Sequence, residues 1–189
     1  MTAKAPPVHP TRERLEAELD HLRAAPTDGG VLEAIVRRPR TDEREELVEA
    51  RLELAPGLVG DNWATRGSRM TGDGSAHPGM QLNVMSSRVA ALVAQDRERW
   101  KLAGDQLYVD LDLSEENLPA GSRLAIGDAV IEVTAQPHAG CKKFVARFGM
   151  DAMLFVNSPA GRALRLRGLN ARVVEPGTVR VGDLVAKFR

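Results

Sequence analysis

The sequence predicts a mainly β protein, a barrel with a few short helices inserted and a helical appendage at its N-terminus. Three observations predict it. Apolar residues recur at every second position in several short segments; Gly-Asp pairs separate some of those segments like corners; and the stretches with helical spacing are few and short. The 189 residues suffice for one domain with a real core plus an appendage. Aromatic residues make up 4% of the chain, so Val, Leu, Ala and Ile must build most of the core.

Residues 1–28 read as a flexible tail and a helical arm, and residues 29–189 as the barrel domain. The first ten residues hold three prolines and little that is apolar. From Thr11 to Ala25, Leu15, Leu19 and Leu22 fall on one face of a short helix, stopped by Pro26-Thr-Asp-Gly-Gly30. That stripe is expected to pack on the body or on a second subunit, in a monomer or a homodimer. Leu32, Ala34 and Val36 then alternate with Glu33, Ile35 and Arg37, and Val48 to Leu54 again reads as a strand.

Thr65 to Gly79 is too rich in Gly, Ser and Asp to be regular. Met80, Leu82 and Val84 form the next alternating strand, and Ser86 or Ser87 is placed to cap a helix carrying Val89, Leu92 and Val93. The clearest strand sets Leu107, Val109, Leu111 and Leu113 against Tyr108, Asp110 and Asp112. Leu124-Ala-Ile-Gly-Asp128-Ala-Val-Ile and Val179-Arg-Val-Gly-Asp183-Leu-Val each read as a strand, a Gly-Asp turn and a returning strand. Lys142 to Phe155 reads as helix with a break at Gly149.

Net charge is zero, which argues against broad electrostatic binding of nucleic acid. No apolar run is long enough to span a bilayer, and the N-terminal residues Lys4, Pro6, Pro7, His9 and Arg12 show no apolar leader, so a cytoplasmic protein is expected. One cysteine cannot form an internal disulfide. Charge is uneven, however. Between Cys141 and Arg172 lie Lys142, Lys143, Arg147, Arg162, Arg165, Arg167 and Arg172, with Asp151 as the one acid. Two readings follow: a small anion held near Lys142, Lys143 and one or more of Arg162, Arg165 and Arg167, or a solvated basic face balanced by the acidic side of Glu43, Glu45, Glu46 and Glu49.

Gln136-Pro-His138-Ala-Gly140-Cys141-Lys-Lys143-Phe carries the candidate chemistry. Pro137 and Gly140 put Cys141 in a loop, and a helix beginning at Lys142 would set the thiol at its N-terminus. There the helix dipole, the two lysines and His138 would favour thiolate over thiol. Such a thiolate can be a nucleophile, a persulfide carrier or a soft metal ligand. His138 and Cys141 are spaced to bind zinc, but no second ligand pair lies nearby. Asp61, leading into Asn62-Trp63 and the irregular stretch, is a further candidate; Gly127-Asp128 and Gly182-Asp183 read as turns.

The order Gly57-Leu-Val-Gly-Asp61, Glu116-Asn117-Leu118, Leu124-Ala-Ile-Gly-Asp128 with Ile131-Glu-Val-Thr134, Cys141, and Val179-Arg-Val-Gly-Asp183 resembles the MOSC domain over roughly residues 30–187. That name denotes the C-terminal domain of molybdenum cofactor sulfurases and its stand-alone bacterial relatives. The resemblance implies a closed β barrel, and a cysteine that carries sulfane sulfur or ligates the molybdenum of a pterin cofactor. It adds Asn117 to Asp61, His138, Lys142, Lys143 and Arg162 as cofactor-binding candidates around Cys141. Many stand-alone relatives carry His-Gly-Gly followed by Arg, where this chain reads His77-Pro78-Gly79-Met80-Gln81-Leu82.

Three functions follow as expectations. The first is a sulfur-carrier or cofactor-binding module, persulfidated by a separate cysteine desulfurase that itself holds pyridoxal phosphate. The second is a molybdenum oxidoreductase acting on N-hydroxylated compounds. The third is an interaction domain with an inert thiol.

Overall fold

Alternating apolar residues that cannot be buried one strand at a time must roll into a closed sheet or find a covering layer, and this chain does both. The computed structural model describes residues 8–188. Residues 1–7 of the expected tail lie outside the described residues. Strands and helices follow in this order: α1 Arg12–Ala17, α2 Leu19–Arg23, β1 Gly30–Arg37, β2 Glu45–Leu47, β3 Glu49–Glu53, β4 Gly57–Leu58, α3 Trp63–Arg66, β5 Leu82–Ser86 and α4 Ser87–Ala94. Then come β6 Leu107–Asp110, β7 Arg123–Ile126, β8 Ala129–Val133, α5 Lys142–Phe148, α6 Met150–Val156, α7 Pro159–Ala163, β9 Leu169–Glu175, β10 Gly177–Arg180 and β11 Leu184–Lys187. Short 3-10 turns span Pro78–Met80 and Arg97–Ala103.

Seven strands close a barrel in the order β1-β6-β5-β9-β8-β7-β11, and β11 returns to pair with β1. All neighbours are antiparallel except β5 and β6. β2 extends the sheet from the end of β1, and β10-β3-β4 form a small second sheet. The expected closed, mainly β barrel with short helices is thus the fold.

Period 2 divides the apolar residues between two cores. Leu32, Ile35, Leu82, Val84, Leu107, Val109, Leu124, Ile131 and Val185 fill the interior, which is wholly aliphatic. Ala34, Val36, Met85 and Tyr108 point outward beneath the helices and meet Val89, Trp100, Phe144, Phe148 and Phe155. Five of the seven aromatic residues collect in this outer layer, because a seven-strand barrel leaves little room for rings.

Three local expectations need correction. In β1 the alternation is broken by a bulge against β6 between Leu32 and Ala34, so Ile35, read as outward, faces the interior. Tyr108, read on the polar face of its strand, is fully buried under the helical layer and donates its hydroxyl hydrogen to the Trp100 carbonyl at 2.7 Å. The second Gly-Asp corner does not return its strand: β10 pairs with β3, whereas β11 pairs with β7 and β1. The first one does, joining β7 to β8 in a two-residue loop with Ile126 opposite Ala129. Asp183 instead accepts the Arg180 N–H at 2.6 Å and lies against the first corner at Gly127.

The break at Gly149 separates α5 from α6 as read, and its φ of 89° is one that glycine adopts without strain. The arm α1–α2 lies outside the barrel, with Leu15 and Leu22 buried in the outer core and the Arg12 N–H on the Asp151 carboxylate at 3.2 Å. None of the described helices is long and apolar enough to cross a membrane.

Because Leu15 has no exposed surface, Leu15→Ala should lower stability by about 2–4 kcal/mol in urea unfolding. A change below about 0.5 kcal/mol would mean that the arm is not part of the folded body.

Candidate functional site

β8 delivers its last residue, Val133, into a segment that has no strand partner, so its backbone groups need other bonds. Asparagine side chains supply them. Asn170 donates to the carbonyls of Gln136 and Pro137 at 3.1 and 3.2 Å. Asn157 accepts the Gly140 N–H at 2.9 Å and donates to the Gly140 carbonyl at 3.2 Å. The loop is thus clamped at both ends, and Cys141 follows at the N-cap of α5 with its side chain exposed.

Beneath the loop lies a buried polar network centred on Asn83 of β5. Its amide nitrogen donates to Asn170 Oδ1 at 2.6 Å and to His138 Nδ1 at 3.1 Å. Its oxygen accepts from Arg38 Nη1 at 3.0 Å, and its backbone N–H donates to Gln106 Oε1 at 2.7 Å. Arg38 grips Asp61 with two side-chain bonds of 2.7 and 2.9 Å, and the Arg38 backbone N–H adds a third at 2.8 Å. Arg167 Nη1 donates to Asp105 Oδ2 at 2.6 Å, while Asp105 Oδ1 faces His138 Nε2 at 3.5 Å. Since Asn83 can only donate through that nitrogen, His138 Nδ1 accepts and its proton sits on Nε2. Burial, then the neighbouring Arg167, pushes the His138 pKa down to about 4 against the opposing pull of Asp105, so the ring is neutral at pH 7.

Above this floor opens a cleft of about 260 Å³, with Cys141 and His138 in its wall. Arg38, Arg44, Arg66, Arg147, Arg167 and Lys143 line it, and none of the lining residues is acidic. They come from the ends of β1, α3, α5 and β9 and from the β1–β2 loop. Asp42 Oδ1 lies 3.3 Å from both Lys143 Nζ and Arg147 Nη2. Arg44 bonds the Glu43 carbonyl, but its buried Nε has no partner. Arg66 makes no side-chain hydrogen bond or ion pair among the described residues. Burial, then Arg147 and Arg38, holds the Arg44 guanidinium below its ordinary pKa, and burial, then Arg38, does the same to Arg66. The lining of the cleft thus carries six cationic side chains and no acidic one, with Asp42 as a neighbour of two of them.

The candidates read from the sequence separate in space. Cys141, His138 and Lys143 meet at this cleft; Lys142 is exposed and does not line it. Arg162 and Arg165 line a neighbouring cavity of about 350 Å³ across the 137–139 segment, and Arg167 reaches both. Asp61 is buried under the cleft as the partner of Arg38. Asn117 lies elsewhere, donating to the carbonyls of Thr27 and Asp112 and accepting from Lys187. Sequence reasoning missed Arg38, Arg44, Arg66, Asn83 and Asp105. The available signal was the charge-dense run Arg37 to Arg44 directly after an apolar strand, where cations have no helix or sheet face to solvate.

The family model of the MOSC domain matches residues 81–186. The fold is similar to that of YuaD from Bacillus subtilis, at 16% identity and a TM-score of 0.58, over 85% of this chain and 97% of that one. It is similar too to YiiM from Escherichia coli, at 22% identity and a TM-score of 0.54, over 84% of this chain and 70% of that one. YiiM from Geobacillus stearothermophilus aligns at 12% identity and a TM-score of 0.50, over 86% of this chain and 74% of that one. At these identities the likeness speaks for the fold alone. No curated protein matches the chain.

The neutral, buried His138 makes a pH prediction. Between pH 6.5 and about 4 the unfolded chain protonates this histidine and the folded chain does not, so stability falls as pH falls through that window. Each pH unit of the window costs about 1.4 kcal/mol, so the whole loss approaches about 3 kcal/mol. His138→Gln keeps an acceptor and a donor without the proton site. The variant should show a flatter decline from pH 7 to pH 4 in urea unfolding; identical slopes would contradict a neutral, buried ring.

Proposed function

We propose, from the premise that the chain belongs to the MOSC domain family, that it is a sulfur-carrier and molybdenum-cofactor-binding module whose working group is the Cys141 thiol. One observation carries the reading: the exposed Cys141 lies in the wall of a cleft lined by five arginines and a lysine and by no carboxylate. A thiol used for group transfer must be reached from outside, and this one is exposed.

The residues present fit the family's pterin. The buried, unpartnered Nε of Arg44, and the Arg66 guanidinium with no hydrogen bond or ion pair among the described residues, suit the oxygens of a phosphate. Arg44, Arg66, Arg147 and Lys143 would hold that phosphate, and Cys141 would present sulfur to the metal as a soft donor. Bound there, the cofactor would supply a molybdenum centre able to accept sulfur or a thiolate ligand. The source of the sulfur in this reading is a pyridoxal-phosphate-dependent cysteine desulfurase, a partner of this chain. His138 acts through the loop: its bond with Asn83 ties down the 136–140 segment and so would fix where Cys141 points.

Cys141→Ser should leave the melting behaviour within about 0.5 kcal/mol of wild type, because the side chain is exposed and the volumes are close. Cyanide-labile sulfur carried by wild type should vanish in the variant. Elemental analysis of protein from a host that makes molybdenum cofactor separates the readings. Stoichiometric, tightly held molybdenum would favour an oxidoreductase; sulfane sulfur without stoichiometric metal supports the carrier. A thiol that carries neither would leave an interaction domain.

A further inference from the structure

Around the cleft, three carboxylates serve six cations. Asp61 is committed to Arg38 and Asp105 to Arg167, both pairs buried. Asp42 is divided between Lys143 and Arg147 at 3.3 Å each. Arg44 and Arg66 have no carboxylate partner among the described residues. Charge of this kind, gathered beside an exposed thiol, selects which molecules reach the sulfur. Even Arg167, with 8% of its side chain exposed, leaves Nε without a partner.

The size of the cleft restricts the partner further. About 260 Å³ is near the lower end of small-molecule pockets, which begin at roughly 300 Å³. It suits a free small molecule whose negative groups the arginines can reach.

Resting on the reading of Cys141 as a sulfur carrier, we infer that the sulfur reaches Cys141 on a small, carboxylate-bearing persulfide, selected by Arg44 and Arg66. The step balances without a further reactant. The Cys141 thiolate attacks the outer sulfur of R–S–SH, the S–S bond of the donor breaks, R–S⁻ leaves, and Cys141 becomes Cys–S–SH. The sulfane sulfur is passed on at its own oxidation level, so no oxidant or reductant is consumed. The arginines attract the carboxylates of R and stabilise the departing thiolate.

The experiment follows Cys141 persulfidation by intact-protein mass spectrometry, which registers the gain of one sulfur atom. The donors are glutathione persulfide and its uncharged-carboxyl diester, which have nearly the same shape. The anionic donor should react about tenfold faster at low salt, the low end of electrostatic steering in a charged cleft, and the advantage should shrink as ionic strength rises. Arg44→Gln and Arg66→Gln, checked for unchanged melting, should each reduce the ratio. Equal rates for the two donors, or a ratio that neither salt nor either variant moves, overturn the inference and leave the carrier reading standing. Failure of both donors to persulfidate Cys141 removes the carrier reading, and this inference with it.

Discussion

The Arg38–Asp61 and Arg167–Asp105 pairs, joined through Asn83 and His138, are the constraint on which the rest of this structure depends. Taking four charges out of water costs several kcal/mol for each ion, and the loss is offset only by the partners their donors and acceptors find. Those partners lie on segments far apart in sequence: the end of β1, residue 61, β5, residues 105 and 106, residue 138 and the start of β9. None can be satisfied alone. The barrel must close with β5 between β9 and β6, as it does, before Asn83 can reach Arg38 on one side and Asn170 on the other. Removing one member leaves an uncompensated buried charge, which is far costlier than never having buried the pair.

The same network explains why the cysteine loop holds its place. A segment beyond the end of a strand has lost its ladder, and the usual remedy is water or a turn. Here Asn170 and Asn157 act as side-chain substitutes for neighbouring strands, while His138 pins the middle of the segment from below. Cys141 is consequently exposed yet carried on a fixed frame. An exposed thiol on a loosely held loop would sweep through many positions; this one is presented to one cleft.

How much of this was legible in the sequence depends on whether the information was local. The strand from Leu107 and the Gly127-Asp128 hairpin follow from period 2 and turn chemistry, which neighbours in sequence decide. The bulge after Leu32 and the burial of Tyr108 do not, because each is imposed by what packs across the strand: β6 in one case, Trp100 and the helices in the other. The Gly182-Asp183 corner misled for the same reason, since a turn signal does not say which strand receives the chain that leaves it. At the site, the Cys141 loop stood out through Pro137, Gly140 and the lysines. The arginines that build the cleft did not, because their convergence exists only after the barrel closes. Arg162, read from its nearness in sequence, lines the adjoining cavity instead.

The arginines divide the work according to whether they have a carboxylate. A buried, paired guanidinium such as that of Arg38 projects little net field, since its charge and that of Asp61 cancel at a distance; what it contributes is geometry, through directed hydrogen bonds in a fixed fork. One without an ion-pair partner, such as that of Arg66, contributes little to rigidity but adds positive charge to the cleft wall. The first kind forms the floor and the second the rim. In the proposed reading, a ligand's charge would be read by residues that do not hold the loop, and the loop is held by residues whose charge is already neutralised. On that reading, substitution at position 44 or 66 would change the preference of the rim for one anion over another without disturbing the network beneath Cys141.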